Sequence, residues 1–214
     1  MATVSPLTAF PANDRVVLHN VSWETYTALR RNLGESPVRL TYDGSNLEIT
    51  SPSRWHEFAG RFLGRMVAML AFELRIPIAT GGSTTFQRGD VKRGLEPDEC
   101  FWIAHEPDVR GKRDINIGID PPPDLAIEID ISPSRLDRPQ IYAALQVPEI
   151  WRFDGENLHV EIRQADGTYL PGETSKSFPF LPVHELMQFL LRVEHDGEMQ
   201  AMLAFVEWIR EQGF

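Results

Sequence analysis

Residues 121–132, PPPDLAIEIDIS, constrain this chain more than any other stretch. From Asp124 onward apolar and acidic residues alternate with the period of two that belongs to an extended strand, so Leu125, Ile127, Ile129 and Ile131 take one face. The opposite face carries Asp124, Glu128 and Asp130, interrupted only by Ala126. Carboxylates gathered so closely repel, and their pKa values rise unless a cation neutralises them. A buried acidic row therefore suggests a metal, and oxygen-only ligation points to Mg²⁺ or Mn²⁺ rather than zinc. An edge strand whose acidic face is simply wet would show the same pattern.

The remaining sequence supplies elements for that strand to pack against. Ser22 is an N-cap for a helix carrying Trp23, Tyr26, Leu29 and Leu33, with Gly34 where a left-handed residue is wanted. Val38, Leu40 and Tyr42 alternate up to an Asp43-Gly44-Ser45-Asn46 turn, and Leu47 and Ile49 resume on the return, which predicts a hairpin. A long helix is expected from Trp55 to Arg75, entered from Ser53, with Phe58, Phe62, Met66, Met69, Leu70 and Leu74 toward the core and Glu57, Arg61 and Gly64 on another side. Strands are expected in Ile78–Phe86, Asp98–Ala104 and Asp124–Ile131. Asp137 then caps a short helix with Ile141, Tyr142 and Leu145 as its apolar side, and Glu149–Phe153 follows as a strand. A second hairpin, Leu158–Tyr169, turns at Asp166-Gly167, and two helices close the chain at Val183–Leu191 and Glu198–Arg210. Phe205, Trp208 and Ile209 on the last helix either dock on the core or meet a second subunit.

At 214 residues and 42% hydrophobic content, one α/β domain over residues 1–214 is the expectation, with a core at about 55–153 and a helical extension at about 183–212. No apolar run approaches the roughly 20 residues of a membrane helix. No secretory signal is recognisable, and the one cysteine, Cys100, suits a reducing cytoplasm. The formal net charge of −10 opposes binding to nucleic acid unless positive charge is concentrated locally. Basic residues do cluster in part, at Lys92 and Arg93, at Arg110, Lys112 and Arg113, and at Arg135 and Arg138, although solvated loop charges would look the same. Trp102 and Trp151 read either as base-stacking platforms or, being in strands, as core.

Pro97-Asp98 stands at the start of a strand expected to pair with the acidic one, and Glu128-Ile129-Asp130 follows thirty residues later. This arrangement, on a helix, three strands, helix, strand core, resembles the PD-(D/E)XK nuclease superfamily, and within it the Uma-two family of restriction-type endonucleases. Ser51-Pro52 with His56-Glu57, Gly81-Gly82-Ser83-Thr84-Thr85-Phe86, and Tyr142 through Pro148-Glu149-Ile150-Trp151 resemble that family too, in the same order over about residues 20–155.

The resemblance implies a restriction-endonuclease-like fold in which Asp98 and Glu128 are the principal metal ligands, with the Ile129 carbonyl and Glu57 as additional ones. Glu57 has the alternative of an i, i+4 ion pair with Arg61. His56 is either a supporting ligand or proton donor, or polar packing, and Asp124 and Asp130 are supporting acids. The superfamily's usual lysine, two positions after the glutamate, is replaced by Asp130; members of the family often carry a basic residue four positions before the tyrosine instead, which is Arg138. Arginine supplies fixed charge and a bidentate phosphate grip but is a poor general base. With Arg61, Arg110, Lys112, Arg113 and Arg135 as candidates for DNA contact, the expected activity is a Mg²⁺- or Mn²⁺-dependent endonuclease acting on DNA as a homodimer. A catalytically degenerate binding or scaffold protein and a hydrolase of another phosphoester are the competing readings.

Overall fold

The first strand, β1 (Asp14–Leu18), begins the part of the chain, residues 14–34 and 36–214, that this computed structural model describes. The alternation in the sequence did not announce β1; its burial pattern is that of an exposed edge strand. α1 (Trp23–Leu33) starts where Ser22 accepts the Thr25 N–H, and stops at Gly34, whose φ of 52° favours glycine. The hairpin β2 (Arg39–Tyr42) and β3 (Leu47–Ser51) turns on Asp43, whose carboxylate accepts the N–H groups of Ser45 and Asn46. α2 (Arg54–Glu73) is capped by Ser53 and buries Phe62, Leu63, Met66 and Leu70.

The expected strand over Ile78–Phe86 is divided between two sheets. β4 (Ala79–Thr80) is two residues long, and β5 (Phe86–Arg88) belongs elsewhere. Gly82, at φ 55°, and the Thr84 N–H to Gly81 carbonyl bond turn the chain between them. β6 (Arg93–Leu95), β7 (Glu99–Trp102), the single turn α3 (Glu106–Val109) and β8 (Leu125–Ile129) follow. Then come α4 (Arg138–Ala144), capped by Asp137, β9 (Glu149–Phe153), and the hairpin β10 (Leu158–Arg163) and β11 (Tyr169–Pro171). The two expected C-terminal helices form one run, α5 (Leu186–Gln212), broken at Gly197 by φ 81° and ψ 161°.

One sheet has the order β1-β3-β2-β6-β5 and the other β11-β10-β9-β8-β7-β4. β7 and β8 are antiparallel, whereas β8 and β9 are parallel and need α4 as their crossover. β8 is therefore an interior strand with all five residues buried, which excludes a wet acidic edge. Leu125, Ile127 and Ile129 join the cluster of Phe62, Leu63 and Met66, while Ala126, on the other face, joins Ile141 and Tyr142 of α4. Slipping β8 by one residue would drive Glu128 among those phenylalanine and leucine side chains, so its register is tightly specified. Phe205 and Ile209 of α5 are buried in the same cluster, with Trp208 packed against it; they dock on the core and are not offered to a second subunit. The mixed α/β architecture is that of a restriction-endonuclease-like core.

Candidate functional site

The β8 register aims Glu128 away from α2 and toward α4. There its Oε1 accepts from Arg138 Nη2 at 2.6 Å and from the Tyr142 hydroxyl. Arg138 also donates to Thr41 Oγ1 at 2.7 Å and to the Glu96 carbonyl at 3.0 Å, so one guanidinium ties β2 of the first sheet to β8 of the second. Burial opposes the Arg138 charge, but the Glu128 carboxylate and Tyr142 outweigh it and hold the pKa above its ordinary value. Burial, then the Glu128 charge, push the Tyr142 hydroxyl well up, so it stays a protonated donor.

Asp98 precedes β7. Its own N–H bonds the Ile127 carbonyl at 3.1 Å, and its Oδ2 accepts the Ile129 N–H at 2.7 Å, which fastens the carboxylate to β8. His56 Nε2, at the start of α2, lies 3.5 Å from the same oxygen. Burial, reinforced by the charges of Arg39 and Arg138, pushes the His56 pKa down to about 3, so the ring is neutral.

α2 reaches this level through a stripe of Glu57, Gly60, Arg61 and Gly64, spaced to share one helical face. A Cβ at Gly60 would sit 3.3 Å from Asp98 Cβ, and one at Gly64 only 2.8 Å from Glu99 Cγ; the two glycines let the helix settle on the acidic start of β7. Glu57 does lie near Arg61, at 3.8 Å, but its tight partner is Arg39 of β2. The Arg39 guanidinium bridges Glu57 Oε1 and Asp98 Oδ1.

Two cavities meet at these side chains. The smaller, about 30 Å³, is walled by Arg15, Arg39, Glu48, His56, Asp98, Glu128, Asp130 and Arg138. Three arginines there face four carboxylates, leaving one formal negative charge. The larger, about 230 Å³, adds Glu57, Arg61, Ser83 and Glu99 to Arg39, His56 and Asp98. Asp130, in the position of the superfamily's lysine, lies 3.6 Å from Arg152. Burial, then the Glu128 charge, raise its pKa.

Several residues singled out by sequence lie elsewhere. Asp124 is at the far end of β8, where it accepts the N–H groups of Ile103 (2.7 Å) and His105 (3.0 Å) and pairs with the His105 ring, so it shapes a loop. Arg110 pairs with Glu106 and Lys112 with Asp120, and neither they nor Arg113 line the two cavities. Arg135 is exposed and gives its backbone N–H to Glu48. Trp102 and Trp151 are buried core residues and bond the Pro121 carbonyl and Glu149.

Arg15, Arg39 and Glu48 were not foreseen. Glu48 is buried and accepts from Ser134 Oγ at 2.8 Å and the Arg135 N–H at 2.9 Å, with Arg15 Nε 3.5 Å away. A signal for Arg39 and Glu48 exists in the hairpin. Arg39 opposes Thr50 and Thr41 opposes Glu48, so its polar alternate positions form one face, and that face turns to the second sheet rather than to solvent.

All the carboxylates are hard oxygen donors, the set that Mg²⁺ or Mn²⁺ takes. Among the described residues no three His, Cys, Asp or Glu side chains converge on one point. The geometry gives the reason: Arg39 stands between Asp98 and Glu57, and Arg138 holds Glu128. The donor set thus fits a divalent cation in its chemistry and residual charge, and in this structure Arg39 and Arg138 are its counter-ions.

The family model for Uma2, described as "Putative restriction endonuclease", matches residues 23–194. Among solved structures, a "putative nuclease belonging to DUF820" from Anabaena variabilis ATCC 29413 has a similar fold, with a TM-score of 0.51 and 14% identity over 76% of this chain and 89% of that one. At that identity the likeness concerns the fold alone. No curated protein matches the sequence.

Proposed function

Since the chain belongs to the Uma2 family, we propose that it is a nuclease of PD-(D/E)XK type that hydrolyses phosphodiester bonds of DNA with Mg²⁺ or Mn²⁺. The observation that carries the reading is that Asp98, at the lead-in to β7, and Glu128, on the adjacent antiparallel β8, line one small cavity, with Glu57 of α2 joined to Asp98 through Arg39. Asp98, Glu128 and Glu57 would hold the cation, with the Ile129 carbonyl as a further donor. A divalent ion bound there lowers the pKa of water and offsets charge on phosphoryl oxygens.

The chain's own groups then have distinct tasks. Arg138, held rigid by Thr41 and the Glu96 carbonyl, supplies fixed positive charge where the lysine is missing. Tyr142 orients Glu128. The Ile129 N–H orients Asp98. Neutral His56 packs against Asp98 without adding a competing charge. Arg61 and Arg135, both exposed, are candidates to meet the sugar-phosphate backbone, and Arg110, Lys112 and Arg113, which line neither cavity, would serve only as further contacts. We read residues 1–214 as one cytoplasmic domain. No helix among the described residues is long and apolar enough to cross a membrane. Paired cutting of a duplex asks for a homodimer, and Phe72, Met199 and Leu203, exposed apolar side chains that line one groove, offer a surface for one.

One observation favours a second reading. Arg39 and Arg138 already pair with Asp98, Glu57 and Glu128, as they would in a fold retained for binding alone. Supercoiled plasmid incubated with Mn²⁺ separates the two: a nuclease yields nicked or, from a dimer, linear product. Mn²⁺ should also raise the melting temperature of wild type and not of Asp98→Asn/Glu128→Gln. An equal rise in that double variant would place the cation elsewhere, and no cleavage with any divalent ion would leave the binding reading.

A further inference from the structure

We propose that Arg39 is a built-in competitor for the divalent cation, its guanidinium filling the position between Asp98 and Glu57 in the metal-free protein and leaving it when the ion binds. The proposal rests on the metal reading of the site given above. It begins from provenance: Arg39 belongs to β2 in the first sheet, yet its charge is spent on carboxylates of β7's lead-in and of α2. Its side chain is only 14% exposed, so the contact is enclosed and not a surface pairing. The two carboxylates it bridges come from different elements, as the ligands of a bridging cation do.

Which partner yields on loading is settled by how each is held. Asp98 is anchored by the Ile129 N–H at 2.7 Å and flanked by His56, so turning its carboxylate aside would break that bond. Arg39 is at the end of a flexible stem, and it forms the wall shared by the 30 Å³ and 230 Å³ cavities. The larger cavity gives the guanidinium somewhere to go, toward the Glu99 carboxylate that also lines it. Two like cations do not share the space between two carboxylates, so cation and guanidinium exclude one another. Their competition reduces the apparent affinity by the fraction of protein whose site is free of arginine: a site one-tenth open binds about tenfold more weakly than an open one.

The experiment is calorimetric titration of EDTA-treated protein with Mn²⁺ at constant ionic strength, paired with melting curves in EDTA and in Mn²⁺. Arg39→Gln should bind Mn²⁺ on the order of tenfold more tightly than wild type. It should melt lower in EDTA, where Asp98 and Glu57 lose their counter-ion, and the gap should close as Mn²⁺ replaces the missing charge. Arg39→Lys, whose ammonium cannot bridge two carboxylates as a fork does, should fall between the two and serves if the glutamine variant does not fold. In an Asp98→Asn background, Arg39→Gln should no longer improve affinity. Equal or weaker Mn²⁺ binding by Arg39→Gln and Arg39→Lys, with binding still abolished by Asp98→Asn, overturns the role of Arg39 and leaves the metal site standing. No Mn²⁺ binding by wild type or any variant overturns both.

Discussion

Replacing Arg138 by methionine keeps most of the stem and removes the charge. Three hydrogen bonds disappear with the guanidinium, to Thr41, the Glu96 carbonyl and Glu128. The Glu128 side chain, 9% exposed, is left with Tyr142 as its remaining donor. Breaking a buried pair from one side costs about 3–5 kcal/mol, mostly from the charge left behind. At about 2–4 °C per kcal/mol for a chain of this size, the melting temperature should fall by roughly 6–20 °C. Glu128→Gln strands the opposite charge and should also destabilise. Because both variants break the same pair, Arg138→Met/Glu128→Gln should be more stable than the sum of the two losses by about 1–3 kcal/mol. Circular-dichroism melts of the four proteins in EDTA at pH 7 provide the cycle. Additivity within about 0.5 kcal/mol would mean that the two groups do not interact in solution, and the site geometry described above would be wrong.

Activity and packing provide separate tests. Arg138→Ala should slow plasmid cleavage on the order of 10²-fold while Mn²⁺ binding survives, and Arg138→Lys should regain speed only if charge rather than a bidentate grip matters; equal rates for wild type and Arg138→Ala would remove Arg138 from the mechanism. Gly64→Ala forces a Cβ to 2.8 Å from Glu99 Cγ, so overpacking of about 1–3 kcal/mol should outweigh a helix-propensity gain of roughly 1 kcal/mol. Gly60→Ala, at 3.3 Å from Asp98 Cβ, should come out near neutral, and urea melts showing Gly64→Ala as the more stable of the two would refute the close approach of α2 to β7.

What could be read from sequence was local chemistry. Ser22, Ser53 and Asp137 each cap the helix they precede, and the alternation in 124–131 placed β8 with the right residues on each face. Long-range assignment was harder. Nothing between Ile78 and Phe86 announced that one extended stretch would be cut between two sheets, because the turn at Gly82 is compatible with a hairpin, a bulge or a crossing. Asp124 shares the face of Glu128, yet four residues along a strand is about 13 Å, which takes it out of reach of the same centre. Phe205, Trp208 and Ile209 read equally well as core or interface, since amphipathic periodicity does not identify what covers the apolar side. Arg39 and Glu48 carried an ambiguous signal for a related reason: polar residues alternating on a hairpin look like a solvent face, and only the second sheet shows that they are enclosed.

That enclosure changes how any variant at this site must be interpreted. Asp98, Glu57 and Glu128 are at once the oxygen donors of the proposed cation site and the counter-ions of Arg39 and Arg138, which connect one sheet to the other. An inactive Asp98 variant is therefore weak evidence for catalysis by itself, since it also takes from the enclosed Arg39 one of its two carboxylate partners. The two roles separate through the cation. If the carboxylates serve only the arginines, Mn²⁺ gains nothing by displacing them and stability is indifferent to it. If they serve a metal, loading returns what the displaced arginine gave up, and stability rises with the logarithm of the Mn²⁺ concentration once that exceeds the dissociation constant of the folded state. Melting temperature against Mn²⁺ concentration thus bears on function even before any substrate is identified, because it asks whether this cluster of opposed charges is held together for its own sake or held ready for an ion.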